Sequence, residues 1–190
     1  MSPGLLRRER IVALLRRELV TEEDAATSAL MARVGDARRR GFISRGEFLA
    51  MCRWKSPRAL RHYQRNAAGR VREASRRALA ARSERRRMEH LLALDGVSVP
   101  VASAILTLLD PRRYGVLDIR AWQMLYAMRG VDANPAGRSF TVGQWLRYLE
   151  TLRSHARRLR ASARAVEYTL FLCHRKRQRG RLYDPPRKRR

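Results

Sequence analysis

The sequence predicts an all-α fold, on three observations. Apolar residues recur at spacings of three and four along most of the chain, strand-like alternation is missing, and capping residues stand ahead of the apolar stripes. At 190 residues and 45% apolar, the chain has enough material for one compact domain or two small lobes.

The elements follow in order. Leu5 to Val20 reads as a first helix, and Thr21 with Asp24 three residues on reads as the cap of a second, ending near Gly35. Ser44 with Glu47 caps a third that ends around Arg53. Ser56-Pro57 sets a capping residue before a proline at the first helical position, so a fourth helix is expected from Pro57 to Asn66. Ala68 to Ala80 is a fifth. Ser83 caps the next, which runs into Leu94-Asp95-Gly96. Gly96 stands where a helix must stop and the backbone needs a conformation that a Cβ disfavours. Val99 to Leu109 then forms the second arm of a helical hairpin, and Asp110-Pro111 ends it. Asp118 can cap Ile119 to Met128, and Gly130 to Gly137 is loop around Asn134-Pro135. Thr141 with Gln144 makes a capping box for a long helix with the stripe Val142, Trp145, Leu149 and Leu152. Ser162 opens the last helix, with Val166, Leu170 and Cys173 facing inward. From Lys176 the chain turns arginine-rich, with Pro185-Pro186, and a mobile basic arm is expected at its end.

Charge narrows the partners. Lys+Arg number 43 against 17 Asp+Glu, a formal net charge of +26, and such self-repulsion calls for a polyanion. The basic residues are spread over the whole chain and no segment approaches a membrane span, so nucleic acid rather than a membrane is the expected partner. Only Lys55, Lys176 and Lys188 are lysines; arginine favours bidentate phosphate contacts and cannot serve as an amine nucleophile. No signal-peptide pattern follows Met1-Ser2-Pro3-Gly4, and a cytoplasmic location is expected, nucleoid-associated in a bacterium. Cys52 and Cys173 are expected to be buried and reduced, and two thiols alone cannot hold zinc or an iron-sulfur cluster.

At the hairpin, the first backbone amides of the second helix are unpaired and point outward, a ready phosphate site formed by Gly96, Val97, Ser98 and Val101. Lys55, Arg58, Arg112 and Arg113 are candidate phosphate contacts. Trp54 and Trp122 are candidates for a base pocket, while Trp145 belongs to the core stripe. Asp36 to Glu47 has calcium-loop spacing, with Asp first, Gly sixth and Glu twelfth. Its third and fifth positions, however, are Arg38 and Arg40, so no calcium is expected. His62, His90, His155 and His174 lack ligand spacing, and neither a metal nor another cofactor is expected.

Leu94-Asp95-Gly96-Val97-Ser98, with Ala102 in register and Asp118 eighteen residues beyond Pro100, resembles the hairpin and catalytic segment of the helix-hairpin-helix DNA glycosylase superfamily. That resemblance implies an endonuclease III-like fold of two helical lobes. Residues 1–35 would pack with a C-terminal lobe of residues 131–178, residues 36–130 would hold the hairpin core, and residues 179–190 would be the basic arm. It also implies double-stranded DNA as partner and Asp118 as the catalytic carboxylate. The chain departs from the family in three places: Ser98 replaces the second hairpin glycine, Pro100 stands where lyase-competent members carry lysine, and the helices between Ser44 and the hairpin are short, implying a reduced or missing base pocket.

A carboxylate at position 118 could stabilise the positive charge that builds on deoxyribose as an N-glycosidic bond breaks, or orient a water. Without a hairpin lysine, hydrolysis without Schiff-base strand cleavage is expected, as in a monofunctional DNA glycosylase of base excision repair. Asp118 could equally be a plain helix cap, and the chain a non-catalytic DNA-binding or architectural module. A calcium-responsive adaptor, resting on Asp36 alone, ranks last. A monomer is expected.

Overall fold

The computed structural model describes residues 3–178, with side chains from residue 10 onward. All regular secondary structure among the described residues is helical. The helices are α1 (Pro3–Glu18), α2 (Ala25–Val34), α3 (Ala37–Arg40), α4 (Arg45–Lys55), α5 (Leu60–Tyr63), α6 (Ala68–Ala80), α7 (Glu84–Leu92), α8 (Val99–Leu109), α9 (Ile119–Ala127), α10 (Val142–Leu159) and α11 (Ala163–Arg177), with a 3-10 turn over Pro57–Ala59 between α4 and α5. The expected arm over residues 179–190, including Lys188, lies outside the described residues.

Caps decide most boundaries. Ser44 and Glu47 form a reciprocal capping box at α4, as Thr141 and Gln144 do at α10; Ser83, Asp118 and Ser162 each accept a backbone N–H at the start of their helices. Three expectations are corrected. Asp24, not Thr21, caps α2, because its carboxylate takes both the backbone N–H of Thr27 (2.9 Å) and the Thr27 hydroxyl (2.7 Å). No single helix runs from Pro57 to Asn66: Ser56 makes no side-chain cap, and the segment breaks into a 3-10 turn followed by the short α5. Lys176 and Arg177 do not begin an arm; they complete the last turn of α11, where cations offset the negative end of the helix dipole.

α8 is the centre of the molecule. Apolar apart from Ser103 and Thr107, it buries every residue except Pro100 and packs against α2, α4, α7 and α10. On one side α4 and α7 pack against it, with α6 laid on those two; on the other α9 and α10 pack on α11, and α1 lies on α10 and α11. Phe48, Tyr63, Trp122, Trp145 and Tyr148 are the large side chains of one continuous core. Truncating one such aromatic costs about 3–5 kcal/mol.

Between α8 and α9 the chain crosses the interior without regular structure, so its backbone groups need side-chain partners. The Val116 N–H donates to Glu167 Oε2 (3.1 Å), the Leu117 N–H to Ser103 Oγ (2.8 Å), and the Val116 carbonyl accepts from the Tyr148 hydroxyl (2.9 Å). Gly115 admits nothing larger, since a Cβ would lie 2.6 Å from Leu152 Cδ1 and 2.7 Å from Glu167 Cβ. This buried strap fixes where Asp118 emerges.

Candidate active site

Asp118 caps α9 with one carboxylate oxygen and meets Lys55 with the other. Oδ1 accepts from the Arg120 backbone N–H at 2.9 Å, and Oδ2 accepts from Lys55 Nζ at 2.9 Å. Lys55 is the last residue of α4, so the C-terminus of α4 faces the N-terminus of α9. Cation and anion each sit at the helix end whose dipole favours them. Both side chains are largely covered, 16% and 20% exposed. Burial alone would raise the Asp118 carboxyl, but the Lys55 charge and hydrogen bond, with the Arg120 N–H, outweigh it and hold the group below its ordinary value.

The pair lies in a cleft of about 280 Å³ between the start of α2, the end of α4 and one face of α11. That is close to the lower end of the ~300–1,000 Å³ usual for small-molecule sites, and so suits one small planar group. Trp54 forms one wall, its indole N–H donating to Thr27 Oγ1 at 3.1 Å. Tyr168 and Phe171 form the other, with nearly parallel rings (14°) and centroids 6.2 Å apart. Arg164 holds the floor together. Its guanidinium binds both oxygens of Glu23 (2.5 and 3.0 Å) and donates to Glu167, and it lies 4.6 Å from the Tyr168 ring centroid and 5.8 Å from that of Trp54. Glu167 is 1% exposed; burial pushes its carboxyl above the ordinary value, against the pull of Arg164. The two acids raise the guanidinium's own proton affinity despite its burial.

The residues singled out from sequence divide sharply. Trp54 lines the cleft, but Trp122 does not: it is 1% exposed in the core, donating to the Asn134 carbonyl (2.8 Å). Trp145 is a core residue, as expected. Lys55 turns into the cleft onto Asp118, away from the outward phosphate role expected of it, whereas Arg58 is exposed on the 3-10 turn. Arg112 is exposed after α8, and Arg113, half exposed, is held by Glu84 Oε1 at 3.0 Å.

At the hairpin, Gly96 has the positive φ expected, +79°. It is also packed: a Cβ there would lie 2.7 Å from His62 Cβ and 3.0 Å from Tyr63 Cδ1. Asn66 locks the turn, donating to the Asp95 carbonyl (3.1 Å) and accepting from the Asp95 N–H (2.9 Å). The Val97 and Val101 side chains are buried, and the Val97 N–H is taken by the Leu94 carbonyl at 3.1 Å, so Val97 has no donor for the phosphate expected there and Val101 has only its backbone amide. Ser98 is exposed and makes no side-chain cap. The segment with calcium-loop spacing is instead the helical turn α3 followed by Gly41, and Arg40 occupies Glu47 at 2.6 Å. Among the described residues no three His, Cys, Asp or Glu side chains converge as a metal site. Burial pushes the Cys52 thiol up to about 12 and raises Cys173, so neither is a reactive thiolate.

Sequence reasoning missed Arg164, Glu167, Tyr168 and Phe171. One signal was present: the charged Arg164 and Glu167 stand among the inward residues Ala163, Val166 and Leu170 of α11. Among the described residues no helix is long and apolar enough to cross a membrane. Compared with protein-family models, curated proteins and solved structures, the chain gave no match.

Proposed function

We propose that the chain is a double-stranded DNA-binding protein of the helix-hairpin-helix glycosylase superfamily that removes a base by hydrolysis, with Asp118 as the reacting carboxylate. The observation that carries this reading is the cleft in which an ionised carboxylate and a lysine meet under aromatic walls, on a chain of net charge +26. A base turned out of the duplex could stack against Trp54 or against Tyr168 and Phe171. Its deoxyribose C1′ would then lie toward Asp118, whose negative charge stabilises the oxocarbenium-like state and orients the attacking water. Buried partners hold the Tyr114–Leu117 strap, so the carboxylate needs little reorganisation when charge develops. The amides at the start of α8, together with Arg58 and Arg112, would supply phosphate contacts. Within this reading the protein acts as a monomer in the cytoplasm.

The test is a panel of duplexes, each carrying one damaged base, followed by alkali to cut at abasic sites. Release of at least one base is expected, with duplex affinity that falls steeply with salt at a log-log slope of about −0.9 per phosphate neutralised. One observation favours a second reading, a non-catalytic DNA-binding module. Both Asp118 oxygens already have partners, as a purely structural cap and ion pair would require. A folded, DNA-binding chain that releases no base from the whole panel would establish that reading instead.

A further inference from the structure

The two ends of α8 differ in what they offer an anion. At the N-terminal end, helix amides point outward along the axis, so a phosphate held there lies beyond that end of the helix. Eleven residues, about 16 Å of helix, separate it from the C-terminal end. There the following segment is pinned between α10 and α11. The Ala163 and Arg164 N–H groups donate to the Arg112 and Pro111 carbonyls (both 3.1 Å), and Arg153 Nε donates to the Arg113 carbonyl (2.9 Å). Four guanidiniums at this end, Arg38, Arg87, Arg113 and Arg153, share two carboxylates, Asp110 and Glu84. Five further arginines, Arg85, Arg86, Arg112, Arg157 and Arg160, are exposed, and their side chains make no ion pair or hydrogen bond among the described residues. Arg157 lies one turn beyond Arg153 on α10 and therefore beside it, and residues 151–160 include no acid. Arg85 and Arg86 occupy the first turn of α7, where the helix dipole disfavours a cation. Local helix energetics do not account for them; a docked anion does.

We infer that the arginine face beyond the C-terminus of α8 binds the phosphate backbone of a second DNA duplex, so that one chain bridges two duplex segments. The inference rests on the duplex binding proposed for the hairpin, and the phosphate contact of Arg112 belongs to this second face. Guanidiniums suit phosphate oxygens because they offer paired donors in one plane. The hollow between Arg38, Arg87, Arg113 and Tyr114 measures about 60 Å³, far below the ~300 Å³ of the smallest usual ligand pockets. This end therefore presents spread charge and no pocket for a base, which fits a phosphate row read without regard to sequence. Duplex DNA is stiff over about 150 base pairs, so a duplex seated beyond the N-terminal end of α8 does not bend around so short a helix to reach the other end.

The experiment loads the full chain onto an immobilised duplex at fewer than one chain per duplex, washes, and offers a second, fluorescent duplex; the mass of the released complex counts its chains. Capture of the fluorescent duplex by a complex of one chain and two duplexes is expected. Changing Arg85, Arg86, Arg157 and Arg160 together to glutamine removes charges that have no partner in the fold, and should leave the immobilised duplex bound while capture falls about tenfold or more. The same change at the exposed Arg16, Arg33, Arg129 and Arg147 removes equal charge elsewhere and should capture like the parent. A limit of one duplex per chain overturns the inference, as do equal losses in the two variants or two chains in every bridged complex. Polyglutamate that displaces the fluorescent duplex more effectively than free duplex does would assign the face to an acidic protein and also overturn it. Binding of a single duplex is measured separately, so the two failures are distinguishable. Retained single-duplex binding without bridging removes the second face alone. Loss of all duplex binding in the variant lacking Arg85, Arg86, Arg157 and Arg160 would make this the sole DNA face and remove the hairpin reading with it.

Discussion

Glu84 and Asp118 are both carboxylates near a helix start, equally covered, with 18% and 20% of the side chain exposed, and both are held below their ordinary proton affinity by cations. Their surroundings differ. Glu84 is saturated: Arg113 (3.0 Å) and Arg153 (2.8 Å) bind one oxygen, and Arg87 (2.9 Å) and the Tyr114 hydroxyl (2.8 Å) bind the other. Its partners come from α7 itself, from the segment after α8 and from α10, so it acts as a clamp. Asp118 has one lysine, one cap bond and an open cleft beside it. Burial and pKa direction do not separate the two residues. The number of fixed partners and the room for a ligand do, and on those grounds the proposed chemistry is placed at Asp118 rather than at Glu84.

The largest stability effect is expected at the clamp. Glu84→Ala leaves three guanidiniums facing one another and should cost about 3 kcal/mol in denaturant unfolding. Asp118→Asn keeps the capping oxygen and loses only the charge opposite Lys55, so a smaller loss of about 1–2 kcal/mol is expected by the same measurement. Equal losses would mean that Asp118 is as structural as Glu84.

Acid should weaken both sites. Each group's folded value is depressed, so each contributes stability that is fully present above its unfolded value, near 4.5 for Glu84 and near 3.8 for Asp118. That stability is lost as pH falls through the lower folded value. Thermal unfolding followed downward from pH 6 should therefore show stability decreasing below about pH 4.5, and less steeply in a Glu84→Gln variant. An unchanged profile in that variant would place the acid sensitivity elsewhere.

How legible the molecule was from sequence follows from the range of the interactions. Ser44–Glu47, Ser83, Thr141–Gln144 and Ser162 act within three residues, and their helices start where the sequence indicates. Local chemistry misled at the start of α2, at Ser56-Pro57 and at Lys176, which completes α11. Thr21 and Asp24 are both good caps, and the choice fell to Thr27, whose hydroxyl adds a second bond to Asp24. Ser56-Pro57 matches a helix start, yet the chain there breaks into a 3-10 turn and a single helical turn, and Tyr63 then packs under Gly96. Asp118 was legible as cap and candidate acid. Its partner was not, since Lys55 lies 63 residues away and no local rule relates them. Trp122 shows the converse: its apolar helical position offers nothing to tell a core ring from a cleft ring, and the indole N–H found the Asn134 carbonyl inside.

The proposed reaction places its charge at the cleft carboxylate Asp118 and not at the clamp Glu84. Single-turnover base release by the parent, Asp118→Asn and Glu84→Gln proteins, on a duplex that the parent acts on and at a temperature where all three are folded and bind DNA, tests it most directly. Loss of one transition-state charge partner predicts a fall of about 10²–10³-fold in Asp118→Asn and a rate near the parent's in Glu84→Gln. Base release by Asp118→Asn at the parent's rate would contradict the account.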